Sequence, residues 1–211
     1  MAQTRVVTIS HTTGAGGDNI GRSVAKGLGF RYVDEEIIHL AAERHGVDAE
    51  VVADAERRKS LLDRILGDMA TPPMMMEATG GMTMLPPEAF LTRDDMRALI
   101  VEAIKETAER GQVVIVSHAA GIPLAGRRDV LRVLITASFE PRARRLVEAT
   151  RSTKADAEKT LQNSDAGRAD YFLRFYGIEL ELPTHYDVVI NTDTLTPEEA
   201  TDLVIAAARR H

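Results

Sequence analysis

Apolar, β-branched runs alternate along this chain with segments whose apolar positions recur every three or four residues. Residues 6–10, 30–33, 113–116, 130–136 and 186–190 read as strands. The unbroken runs Val113-Val114-Ile115-Val116 and Val130 to Thr136 suit strands buried on both faces, as in a parallel sheet. Ile20, Val24, Ala25 and Leu28 mark a first amphipathic helix, which Gly29 should cap. Ile37, Ile38 and Ala41 mark a second over about 35–44, and Val51, Val52, Ala55, Leu62 and Ile65 a third over about 48–66. Met96, Leu99, Ile100, Ala103, Ile104 and Ala108 place a fourth over about 93–110. Pro141 lies in the first turn of the next helix. Ser152-Thr153 should cap a helix over 154–161, a separate helix covers about 165–176, and Pro197 opens the last. Strands alternating with helices predict an α/β fold with a parallel sheet of about five strands and right-handed crossovers.

Composition narrows this picture. A chain of 211 residues points to one domain over 1–211. It has no cysteine, which removes disulfides and thiolate chemistry, and no tryptophan, which leaves the core to aliphatic residues. A net charge of −6 argues against nucleic-acid and membrane-surface partners. There is no apolar leader and no run long enough to span a bilayer, so the expected compartment is cytoplasmic. The stretch 67–92 breaks the pattern: it carries Met69, Met74, Met75, Met76, Met82 and Met84 among proline and glycine pairs. It is an insertion, read as a flap, a homo-oligomer contact or a disordered loop.

The candidate chemistry begins where the first strand meets the first helix. His11-Thr12-Thr13-Gly14-Ala15-Gly16-Gly17-Asp18-Asn19 is a glycine-rich turn. Such a turn exposes backbone N–H groups at a helix N-terminus and lets a phosphate approach closely. It misses the third glycine of G-x-G-x-x-G, because Asn19 stands there. Against the P-loop G-x-x-x-x-G-K-[ST], Gly17 replaces the lysine, Asp18 the hydroxyl and His11 the first glycine. A strand–turn–helix joint that needs glycine only for packing is the alternative. Asp34, at the end of the second strand, is either a helix N-cap or a substrate contact. His118 lies beyond the third strand, at the sheet edge where α/β proteins bind ligands.

Several segments together resemble the cytidylate kinase-like family. They are Thr8-Ile9-Ser10 with the loop Gly14 to Gly17, Phe30 to Ile38, Val113 to Leu124, the arginine-rich helix after Ser138, Ser164 to Tyr171, and Tyr186 to Thr192. The resemblance implies a P-loop kinase-like fold with sheet order 2-3-1-4-5, and ATP-Mg²⁺ phosphotransfer to a small-molecule nucleotide. It implies that Gly14, Ala15, Gly16, Gly17, Asp18 and Asn19 wrap the donor phosphates; the carboxylate of Asp18 there would repel a triphosphate unless magnesium lies between them, which makes it the metal candidate. Asp34 would face the acceptor, where His118 is a further candidate by its position alone, and Asn191 and Thr192 would border the adenine site. Arg142 and Arg145 would lie at the base of a lid spanning about 150–178. Asp165 and Arg168 would be lid residues, with Arg168 reaching the transferring group.

The departures fall on the chemistry. Relatives of this kind lack the lysine but carry an arginine where this chain has Asp18, a serine–arginine–glutamate where it has Ser10-His11-Thr12, and a glycine–arginine where it has Ser117-His118. Arg22, one helical turn on, is a candidate for the missing charge. Two readings follow: a kinase with an atypical loop, or a catalytically silent nucleotide- or phosphate-binding protein that retains the fold.

Overall fold

The structure, a computed structural model, describes residues 3–57 and 93–211. The strands are β1 Val6–His11, β2 Arg31–Val33, β3 Val113–Val116, β4 Val130–Thr136 and β5 Val188–Asn191. They form one parallel sheet in the order β2-β3-β1-β4-β5. The helices are α1 Gly17–Leu28, α2 Glu36–His45, α3 Ala49–Arg57, α4 Arg93–Arg110, α5 Phe139–Thr150, α6 Lys154–Tyr176 and α7 Pro197–Arg210. The rest of the predicted third helix and the methionine-rich stretch lie outside the described residues.

Side chains of each strand alternate between two cores, as the pleat requires. Val7, Ile9, Val114, Val116, Leu131, Val133 and Ile135 pack on Ile20 and Val24 of α1 and on Ala200 and Val204 of α7. Val6, Val113, Ile115 and Val130 face the other way, onto Ile37 and Ala41 of α2, Ile100 and Ile104 of α4, and Phe175 of α6. Close packing of α1 depends on small residues. A Cβ at Gly21 would lie 2.7 Å from a Val116 methyl, and one at Gly27 would lie 2.4 Å from the end of Ile205.

Two boundaries differ from the sequence pattern. The helices expected at 154–161 and 165–176 are one 23-residue helix, α6. Thr153 caps it, accepting from the Asp156 N–H, and Gly177 closes it in a left-handed conformation. Gln162-Asn163-Ser164 interrupts the apolar stripe without interrupting the backbone. Nor does Asp34 cap α2: the N-cap is Glu35, with no side-chain bond. The Asp34 carboxylate instead accepts from the Tyr32 hydroxyl at 3.3 Å.

Two glycine substitutions separate packing from propensity. Gly21→Ala should destabilise the protein by about 1–3 kcal/mol, because the stiff Val116 side chain cannot yield. Gly167→Ala, within α6 with open space at its Cβ position, should stabilise it by about 0.5–1 kcal/mol. Denaturant unfolding of the two variants reads both values.

Candidate nucleotide site

β1 ends at the C-terminal edge of the sheet, and the chain must then turn under α1. Gly14 and Gly16 make this turn at φ +82° and +86°. Gly14 is also pressed on α5, where an added Cβ would sit 3.0 Å from both the Cβ and the carbonyl oxygen of Arg142. The N–H groups of Gly17, Asp18 and Asn19 open α1 and have no intrahelical acceptor, and the N-cap Gly16 brings no side chain to meet them. The loop therefore presents a set of donors suited to an anion.

The loop carbonyls are held from behind by three arginines. Arg168 Nη1 donates to the His11 carbonyl oxygen at 3.0 Å, Arg142 Nη1 to that of Thr13 at 3.3 Å, and Arg145 Nη1 to that of Gly14 at 3.3 Å. Each arginine has a second anchor. Arg142, buried, pairs bidentately with Asp165 at 2.7 and 2.8 Å. Arg168 pairs bidentately with Glu181 at 2.6 and 2.7 Å and donates to Ser10 Oγ at 2.8 Å. Arg145 donates to both the hydroxyl and the carbonyl oxygen of Thr192. Thr192, buried, donates in turn to the Ala15 carbonyl oxygen at 3.0 Å. Asn191 does not touch this turn: its Oδ1 accepts from the Asp193 N–H at 2.8 Å, and the Asp193 carboxylate accepts from the N–H and hydroxyl of Ser138, the N-cap of α5.

Two clefts flank the loop. One, of about 390 Å³, is lined by Gly14 to Gly16, Asp18, Asn19, Ile20, Arg145, Leu146, Thr192 and Leu195. The other, of about 360 Å³, is lined by His11, Thr13, Ser117, His118, Ser164, Asp165, Arg168 and Tyr171. Thr13 and Ser164 join hydroxyls at 2.6 Å across this second cleft and so tie α6 to the loop. Ser117, His118 and Ala119 run consecutively at φ +70°, +54° and +47° on its rim. Such a conformation costs non-glycine residues energy and is held by its surroundings. His118 Nε2 donates to the Asp34 carbonyl oxygen at 3.1 Å and lies 3.8 Å from its carboxylate.

The charged residues that replace the usual loop chemistry sit together. His11 Nε2 and Asp18 Oδ1 are 3.1 Å apart. The His11 hydrogen bond holds the Asp18 carboxyl below its ordinary range, against partial burial. Arg22 stacks on Tyr32 with its guanidinium carbon 4.3 Å from the ring centre, and its charge also favours the ionised Asp18 carboxyl. Burial, with the Asp34 charge, pushes the Tyr32 hydroxyl up to about 12. Burial raises the Asp34 carboxyl, with His118 pulling it back and Asp18 adding to the rise. Among the described residues no group of three or more histidine, aspartate or glutamate side chains forms a ready metal cage.

The model of the family described as "Cytidylate kinase-like family" matches residues 6–194. The chain belongs to the cytidylate kinase-like family. Among curated proteins it is similar to the cytidylate kinase of Ignicoccus hospitalis, 28% identical over 200 residues, covering 94% of this chain and 96% of that one. Among solved structures, an uncharacterized protein of Eubacterium ventriosum superposes with a TM-score of 0.65 at 16% identity, over 99% of this chain and 100% of that one. A gluconokinase of Sinorhizobium meliloti superposes at 0.52 and 14%, over 100% and 94%. At these identities the superpositions speak for the fold, which is that of P-loop kinases.

Sequence reasoning missed His11, Thr13, Ser164 and Glu181 as parts of the site. Only His11 left a signal, by occupying the first-glycine position of the loop template beside the missing lysine. The raised Asp34 carboxyl gives a prediction with a definite sign. A carboxyl whose folded value exceeds its unfolded value costs stability as pH rises through that interval, and the cost persists at neutral pH. Asp34→Asn should therefore raise Tm at pH 7 and leave it less changed near pH 4, as measured by calorimetry across pH.

Proposed function

We propose that this member of the cytidylate kinase-like family binds a nucleoside triphosphate at the Gly14–Asn19 loop and transfers a phosphoryl group to a nucleoside monophosphate. The observation that carries the reading is the loop itself, with its carbonyls held by arginines and its N–H groups left for an anion. The cleft containing Ile20, Leu146 and Leu195 would take the base, with Arg145 and Thr192 at its inner edge. The cleft containing Thr13, Asp165 and Arg168 would take the acceptor, bounded by His118 and Asp34. Magnesium needs only one or two carboxylates beside phosphate oxygens and water. Asp18, about half exposed on the loop, fits that need once it changes partner from His11. Bound there, the metal would supply charge neutralisation between the phosphates. Arg168, beside the second cleft, would steady charge on the transferring group, a contribution of about 4–7 kcal/mol where an arginine is well placed.

One observation favours the second reading, a nucleotide-binding protein without turnover. Arg142, Arg145 and Arg168 are all committed to protein acceptors, and no lysine stands in the loop. A coupled ATPase assay over a panel of nucleoside monophosphates separates the two. The first reading predicts turnover with at least one acceptor and loss of most of it in Arg168→Ala. Nucleotide-dependent thermal stabilisation, about 2.7 kcal/mol at a hundredfold excess over Kd, without turnover supports the second. Neither response would remove both.

A further inference from the structure

Arg168 leaves α6 at the wall of the second cleft. Its Nε and Nη2 donate to the two oxygens of Glu181 at 2.7 and 2.6 Å. Nη2 also donates to Ser10 Oγ at 2.8 Å, and Nη1 to the His11 carbonyl oxygen at 3.0 Å. A guanidinium carries five N–H donors. These bonds therefore leave one Nη1–H of Arg168 with no acceptor among the described residues.

Glu181 does not hold this edge alone. The Tyr186 hydroxyl donates to Glu181 Oε1, the same oxygen that receives Nη2. Tyr186 is 8% exposed, and burial together with that bond pushes its hydroxyl well above the ordinary range, so it stays a donor. The next residue, Asp187, is tied to β4. Its carboxylate accepts from the Arg132 N–H at 2.9 Å and from the Arg132 side chain at 2.6 and 3.0 Å. A line of polar contacts thus runs from the sheet through the 186–187 segment and Glu181 to the guanidinium at the cleft.

We infer that Glu181 and Tyr186 are positioning residues that pin Arg168 so that it acts from where it stands. It offers its remaining Nη1–H to the γ-phosphoryl group as the bond to the β-phosphate oxygen breaks and the bond to an acceptor phosphate oxygen forms. Its other donors meanwhile keep hold of the loop. The inference rests on the phosphotransfer reading above. The opposite use of the same contacts is a lock that Arg168 must break before it reaches the phosphate, and the energetics disfavour it. Withdrawal of Arg168 would leave the Glu181 carboxylate, 19% exposed, with only a tyrosine hydroxyl, and breaking a largely buried bidentate pair is costly. It would also release the His11 carbonyl and disturb the loop that receives the donor phosphates. A donor already fixed in place needs no reorganisation at the moment of reaction, which is where such groups stabilise a transition state most.

The test uses the whole protein with ATP-Mg²⁺ and the acceptor that wild type turns over. Glu181→Gln, Tyr186→Phe and Arg168→Ala are compared, together with each of the first two combined with Arg168→Ala. Circular dichroism and thermal unfolding establish that each is folded at the assay temperature. Glu181→Gln should lower kcat on the order of 10- to 100-fold with KM changed little, the usual cost of a small misplacement of a catalytic group. Tyr186→Phe keeps the ring and removes one hydrogen bond, so it should lower kcat about two- to tenfold; it carries the test if Glu181→Gln does not fold. In the Arg168→Ala background either change should add almost nothing, because a residue that acts through Arg168 has nothing left to position. An unchanged or raised kcat in the folded single variants, or losses that multiply in the double variants, overturns the inference. Absence of wild-type turnover with every acceptor removes the phosphotransfer reading, and the inference with it. A second readout needs no turnover. The Arg168 Nε–H signal in ¹H–¹⁵N spectra, shifted downfield by the Glu181 carboxylate, should keep that shift when Mg²⁺-ADP and acceptor are added. Its return to the position of a free arginine would show Arg168 leaving Glu181 and contradict action in place.

Discussion

The site depends on which way a short turn points its peptide groups. Between β1 and α1 the carbonyls of His11, Thr13 and Gly14 are held by three guanidinium groups. With these oxygens fixed on one side, the N–H groups that open α1 are left to the other. Glycine at 14 and 16 is required because the turn passes through positive φ there. A net acidic protein thereby obtains an anion-receptive surface from backbone dipoles, with its arginines as scaffold rather than as free charge.

That arrangement links the loop to the whole C-terminal half of the chain. Arg142 and Arg145 come from α5, Arg168 from α6, and Thr192 from the segment after β5. Their counter-charges lie further along: Asp165 in α6 and Glu181 beyond it, where Glu181 also accepts from the buried Tyr186 hydroxyl. A buried ion pair stabilises only when both partners are present, and breaking one leaves an uncompensated charge. Movement of α6 would thus be felt in the loop through Arg168 and through the Thr13–Ser164 bond. Stability and the proposed nucleotide binding would share these contacts.

Much of the fold was legible in the chain. The strands announce themselves as unbroken apolar runs because a parallel sheet buries both faces, and the sheet order followed from the family resemblance. Other features were hidden by distance or by ambiguity of local signals. Gln162-Asn163-Ser164 reads as a break because it carries no apolar residue, yet a half-exposed helix needs none there. Asp34 has the position of a cap but turns its carboxylate to Tyr32, a choice made by tertiary contacts. The arginines were legible as a cluster, whereas their partners were not. Arg168 meets Ser10 and His11 across more than 150 residues of chain, which no spacing rule encodes.

Backbone amides report most directly on the central claim, that the start of α1 receives the anion. In ¹H–¹⁵N correlation spectra, titration with Mg²⁺-ADP should shift the amides of Gly16 to Asn19 most strongly, and inorganic phosphate should move the same signals in the same direction. Saturable binding that leaves those amides in place while shifting signals elsewhere would contradict the account.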